Sequence, residues 1–215
     1  MMVQPSFMAD FLKLSFSPRQ FFAARYRELD SKRIHALGVT GTFLGLALGN
    51  GSSYGLSTMV EHNFNLQKDA YLDAIKNLGL TELGFIDMLL VQRGYYLLVG
   101  VLSPIVALMA PHIFGGSLFA FLWLLTRPEK PVDFSRVMAC ASIALGSMIF
   151  YAIPAVGPAV AVIMVSVNLS RALYVEYKMI GFMKAMSIVS AIYICFFLSA
   201  ASFQLLAEPV ASWLK

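Results

Sequence analysis

In 215 residues this chain carries 59% hydrophobic and only 13% charged residues, with a net charge of +4. Soluble domains hold roughly 45–50% apolar and about 25% charged residues, so these 16 Lys/Arg and 12 Asp/Glu are too few to cover a soluble surface of this size. The charge-free stretches 34–60, 94–126, 137–170 and 185–203 are each long enough for at least one membrane crossing, which takes about 20 apolar residues.

The N-terminal segment 1–33 holds six Lys/Arg and three acids. It shows no cleavable secretory pattern, so the first apolar run is expected to be retained. Ser17-Pro18 predicts a helix start, with Ser as cap and Pro in the first turn. Phe22, Tyr26 and Leu29 follow at i, i+4 and i+7, ringed by Arg19, Arg25, Arg27, Lys32 and Arg33. That pattern predicts an amphipathic helix on the cytoplasmic face, anchored in an anionic inner leaflet.

The run from Arg33 predicts the first span. Its strongest part ends near Gly49, where Asn50-Gly51-Ser52-Ser53 is expected to fray or end the helix. Gly41, Gly45 and Gly49 recur every four residues and make a smooth face for close helix packing, inside the chain or in a homo-oligomer. The polar segment 61–92 is expected to lie outside as one or two short surface helices.

The run 94–126 holds Pro104, Pro111 and Gly115-Gly116. It is too long for one upright crossing and short for two, and one bent helix is expected. The run 137–170 is split at Ile153-Pro-Ala-Val-Gly-Pro158, whose turn chemistry predicts two crossings. The run 182–204 adds the last, ahead of an outer tail at 205–215. This gives an all-α, polytopic bundle of about five transmembrane helices.

The positive-inside rule agrees with that count. With five spans and the N-terminus inside, the net-positive segments 1–33, 127–136 and 171–184 are cytoplasmic, and the loop 61–93 at net −2 is outside. Two spans in 94–126 would place 171–184 outside.

Candidate chemistry is sparse. His112 lies between Pro111 and Gly115. It is either an intramembrane proton or transport residue or a donor to a carbonyl that the proline frees. Asn168 and Arg171 lie one turn apart near the inner end of the fourth span, where Glu176 is expected to pair with Arg171 or Lys178. With Asn50, these are the side chains available to line a polar path. Gly55-Leu56-Ser57-Thr58 only faintly echoes a rhomboid-type Gly-x-Ser. Metalloprotease, P-loop and Cys/His ligand patterns are absent, so no enzyme activity, cofactor, metal or nucleic-acid partner is expected. Cys140 and Cys195 read as buried hydrophobes.

From Pro111 onward a further pattern emerges. PHIFGG precedes the connector TRPEKPVDFSRV, YAIPAVGP makes the turn, and EYKMIGFMKA leads into the last run. This resembles the bacterial branch of the Yip (Ypt/Rab-interacting protein) membrane family. His112, Gly115, Gly116, Ile153, Pro154, Gly157, Lys184 and Ala185 match its His, Gly-Gly, Ile-Pro-x-x-Gly and Lys-Ala features, and SPRQFF at 17–22 is similar to its N-terminal approach. The resemblance implies a five-helix domain in the bacterial inner membrane with a cytoplasmic N-terminus and no catalytic residue set. Eukaryotic relatives act in Golgi and ER traffic with Rab GTPases through a longer N-terminal region than residues 1–33 provide, so that role is not carried over. The expected function is membrane organisation or the binding of other membrane proteins. The alternative is a small transporter, channel or lipid-handling protein.

Overall fold

The structure, a computed structural model, describes residues 6–77, 81–125, 132–154 and 156–177, with the further positions 183, 187, 190, 191 and 194. Among the described residues all regular structure is helical. In chain order come α1 (Phe7–Phe16), α2 (Pro18–Ala24), a 3-10 turn (Tyr26–Glu28), α3 (Ser31–Leu66), α4 (Lys68–Asn77), α5 (Glu82–Leu125), α6 (Phe134–Leu145) with a 3-10 extension (Gly146–Ala152), and α7 (Gly157–Tyr177). Among the described residues, three helical segments are long and apolar enough to cross a membrane: Gly84–Leu124, Phe134–Ala152 and Gly157–Tyr177. Apart from those five positions, the last predicted span, 182–204, lies outside the described residues, as do the tail 205–215, Lys184, Ala185 and Cys195.

Acidic caps start two of the long elements. Asp30 accepts from the Arg33 amide at 2.7 Å ahead of α3, and Asp133 accepts from the Ser135 amide at 3.0 Å ahead of α6. Each supplies an acceptor for an amide that the first turn leaves without a partner.

The helix through Asn50 does not end where its sequence predicts. α3 continues to Leu66 because its polar side chains turn back onto their own helix. Asn50 donates to the Leu46 carbonyl at 2.7 Å, and Ser52 to the Gly49 carbonyl at 2.9 Å. These groups are satisfied without leaving the helix. At 36 residues α3 is about 54 Å long at about 1.5 Å per residue. Its glycines and hydroxyls also dilute its hydropathy, and it is not among the three apolar segments.

Over its described residues, 94–125, the run belongs to one helix as expected, but that helix starts at Glu82. Most of the expected outer loop 61–92 is therefore the continuation of α3, the short α4 and the first turns of α5. Pro104 and Pro111 do not break α5. Pro104 leaves the Gly100 carbonyl without its amide partner, and the Ser103 hydroxyl donates to that carbonyl at 2.7 Å.

α3 and α5 run antiparallel. Glu61 is ion-paired to Arg93 and the Phe64 and Phe85 rings are 5.3 Å apart near one end, while the His35 and His112 rings are 5.3 Å apart toward the other. α6 and α7 complete the bundle around a core that includes Leu37, Leu118, Leu122, Val137, Ile143 and Leu169, all essentially without exposed surface. The break between them falls within the predicted turn 153–158, but α7 already begins at Gly157, so that Pro158 sits in its first turn.

The N-terminal segment departs furthest from expectation. α2 begins at Pro18 as its sequence predicts, yet Ser17 makes no side-chain cap and the helix is seven residues long. A further helix, α1, precedes it. Phe22 and Tyr26 are buried in the protein core rather than presented to headgroups, together with Phe11, Leu14 and Phe21.

Candidate functional site

The glycine face of α3 lies against α6 and its 3-10 extension. A Cβ added at Gly38 would strike the Ser142 backbone, at Gly41 the Gly146 backbone, at Gly45 the Met148 carbonyl and at Gly49 the Tyr151 ring, each closer than 3.0 Å. Here the missing side chains let two backbones touch. The stripe begins one turn earlier than Gly41 and is used within the chain. Gly51 and Gly55, just past it, have nothing within 4 Å.

Three of the four polar candidates are anchored separately. Asn50 is buried and held by its own helix, through Leu46. Asn168, with no exposed surface, donates from Nδ2 to the Ser147 hydroxyl, which ties α7 to the 3-10 extension. His112 Nδ1 lies 3.2 Å from the Leu108 carbonyl. That is one residue beyond Ala107, whose carbonyl Pro111 leaves free, so the simple proline-rescue expectation is shifted by one position. Its ring meets His35, a residue the sequence reading did not single out. Arg171 has a buried Nη1 without a hydrogen-bond partner among the described residues. Among the described residues Glu176 pairs with Arg136 at 3.7 Å rather than with Arg171, because the α6 and α7 ends on that side lie next to each other; Lys178 lies outside the described residues.

Two cavities flank α6. One, of about 270 Å³, is lined by Val106, Met109, Ala110, Ile113, Phe114 and Leu145 and is apolar throughout. The other, of about 170 Å³, lies among Ser31, Ile34, His35, Ser135, Met138 and Ser142. None of Asn50, His112, Asn168 and Arg171 lines either cavity.

The residues of the family pattern divide likewise. A side chain at Gly115 would strike Met138, whereas Gly116 faces open space. Pro154 is exposed in the turn, and a Cβ on Gly157 would stand 2.5 Å from the Tyr151 carbonyl. Ser57 is buried in α3, and its hydroxyl has no hydrogen-bond partner among the described residues. Cys140 is free and buried, as expected of a small apolar side chain.

The most concentrated electrostatic feature was not foreseen. Asp10 on α1 has no exposed surface and meets Arg25 at 3.1 Å and Arg33 at 2.7 Å; Arg25 also pairs with Glu28 at 2.5 Å. The hydrogen bond that Arg25 donates to Asp10, then the one it donates to Glu28, holds its guanidinium above its ordinary pKa. One signal for α1 was present in the sequence: Phe7, Phe11 and Leu14 at i, i+4 and i+7 around a single acid.

Fold and site together define a helical protein with three candidate membrane spans and a closely packed interior. Comparison of the chain with protein-family models, curated protein sequences and solved structures finds no match.

Proposed function

We propose that this is a non-enzymatic, five-span membrane protein of the Yip type, which organises the bacterial inner membrane or holds other membrane proteins. The observation that carries this reading is the separate anchoring of Asn50, His112 and Asn168. A transport path needs polar side chains on one wet cavity, whereas these serve helix contacts, as polar groups do in membrane bundles. The use of the glycine face inside the chain adds to it.

The packing of α3 supports its crossing the membrane despite its modest hydropathy. From Gly38 against Ser142 to Gly49 against Tyr151 it keeps step with a segment apolar enough to span, so both occupy the same depth. α5 supplies one crossing as a single helix. The fifth crossing, at 182–204, and the inside position of the N-terminus rest on the sequence and its charge distribution.

Purified protein in vesicles preloaded with a pH-sensitive dye tests the reading. Proton and cation leak should equal that of protein-free vesicles, with His112→Ala unchanged. A gradient-driven flux that His112→Ala abolishes would overturn it in favour of the second reading, a small transporter. One observation favours that second reading: the His35–His112 ring contact beside the polar cavity that His35 lines.

A further inference from the structure

The N-terminal helices form a hairpin. α1 starts beside Arg25 and Arg33, to which Asp10 is paired, and runs inward to Phe16. The chain turns at Ser17-Pro18, and α2 returns to Arg25, next to Asp10 again. The depth of the closed end follows from its contacts. Leu14 packs on Gly146, and the Phe16 ring is 5.6 Å from Phe150 in an edge-on contact. Gly146 lies ten residues beyond Arg136, the one charge of that span and near its start, which is about 15 Å along a helix and so about half of a roughly 30 Å hydrocarbon core. The outward face of α1 suits that depth. Met8, Leu12 and Phe16, at i, i+4 and i+8, are 59%, 48% and 67% exposed. The acid that would oppose insertion, Asp10, is fully buried between arginines.

We infer that α1 and α2 are a re-entrant wedge, inserted from the cytoplasmic side with the Met8–Leu12–Phe16 stripe against the acyl chains of anionic inner-leaflet phospholipids. The anionic partner follows from charge: segment 1–33 holds six Lys/Arg and three acids, one of them Asp10 inside the protein. Lys13 and Arg19 carry their charges on long stems that reach back toward the phosphates. The inference rests on the spanning reading of α3 and α6 and replaces a helix lying flat on the surface with one that slopes inward.

Site-directed spin labelling tests it. Nitroxides are placed at Met8→Cys, Leu12→Cys and Phe16→Cys, and at Val101→Cys on α5 as a reference, in the full chain with Cys140→Ala and Cys195→Ala. The chain is reconstituted in phosphatidylcholine–phosphatidylglycerol vesicles. The ratio of oxygen to aqueous-nickel accessibility should rise severalfold from position 8 to position 16, with position 101 also lipid-exposed. High nickel access at all three N-terminal positions, or low access to both reagents, would overturn the wedge if position 101 remains in lipid. Nickel access at position 101 would overturn the spanning reading itself. If Cys140→Ala does not fold, Phe16→Trp with native cysteines gives the same decision. Its added fluorescence should be quenched more by lipid brominated deep in the acyl chain than by iodide in the buffer, and the reverse order would overturn the wedge.

Discussion

The Arg25 guanidinium lies 3.1 Å from the carboxylate of Asp10, fifteen residues earlier and without exposed surface, and this pair closes the open end of the N-terminal hairpin. Arg33, in the first turn of α3, meets the same carboxylate. One acid thus fastens α1, the return of α2 and the start of α3.

Removing that acid should loosen all three. Breaking a buried ion pair from one side costs about 3–5 kcal/mol. Both arginines retain some contact with water, so Asp10→Ala is expected to cost about 2–3 kcal/mol on the same basis. Arg25→Ala should cost less, since Arg33 remains to compensate Asp10. Thermal unfolding of the purified protein in detergent measures both, and equal losses would contradict the shared-acid arrangement.

The glycine face gives opposite expectations at neighbouring positions of one helix. Gly41→Leu or Gly45→Leu should force α3 off α6 and lower the midpoint of unfolding sharply, because the obstacle is backbone that cannot move aside. Gly51→Ala and Gly55→Ala meet nothing within 4 Å. They should be neutral or stabilising by up to about 1 kcal/mol, from helix propensity. If Gly45→Leu changed only oligomer size and left monomer stability intact, the glycines would belong to an interface between copies.

Asn168 and Ser147 form a polar link across the bundle. Such bonds in membrane proteins average about 0.6 kcal/mol and reach about 1.7 kcal/mol. A double-mutant cycle with Asn168→Ala and Ser147→Ala should return a coupling in that range. Zero coupling would show that Asn168 is held by something other than Ser147.

The proposed five-span arrangement is open to labelling in oriented membranes. A cysteine at Lys130 should be protected from an impermeant reagent applied outside, and one at Asp73 should react. The reverse pattern would contradict the topology. Reaction at both positions would place an even number of crossings between them, against the single crossing assigned to α5.

Much of this protein was legible without its coordinates. Charge-free runs announced helices that water would not tolerate bare, and the break within 153–158 was readable because Pro and Gly act on their own backbone. The single helix over 94–125 followed from length taken together with the parity of the charged segments. Local rules failed where a side chain found a partner that position in the chain does not reveal. The Asn50 cluster was read as a helix end because such residues compete for backbone groups in water; here Asn50 and Ser52 bond to their own helix, and α3 continues. Phe22 and Tyr26 have the spacing of a surface anchor, yet they face protein because α1 brings the segment down onto α6 and α7.

The sequence by itself therefore determined the helical class, the apolar stretches and the positions that must bend or turn, since these depend on transfer of side chains from water and on backbone chemistry within a few residues. Tertiary structure decided what each face meets. It set the glycine stripe of α3 against Ser142, Gly146 and Met148, parted the polar residues that a common path would have gathered, and closed Asp10 between Arg25 and Arg33. Those outcomes depend on which distant segments share the same depth, and spacing along the chain does not encode that.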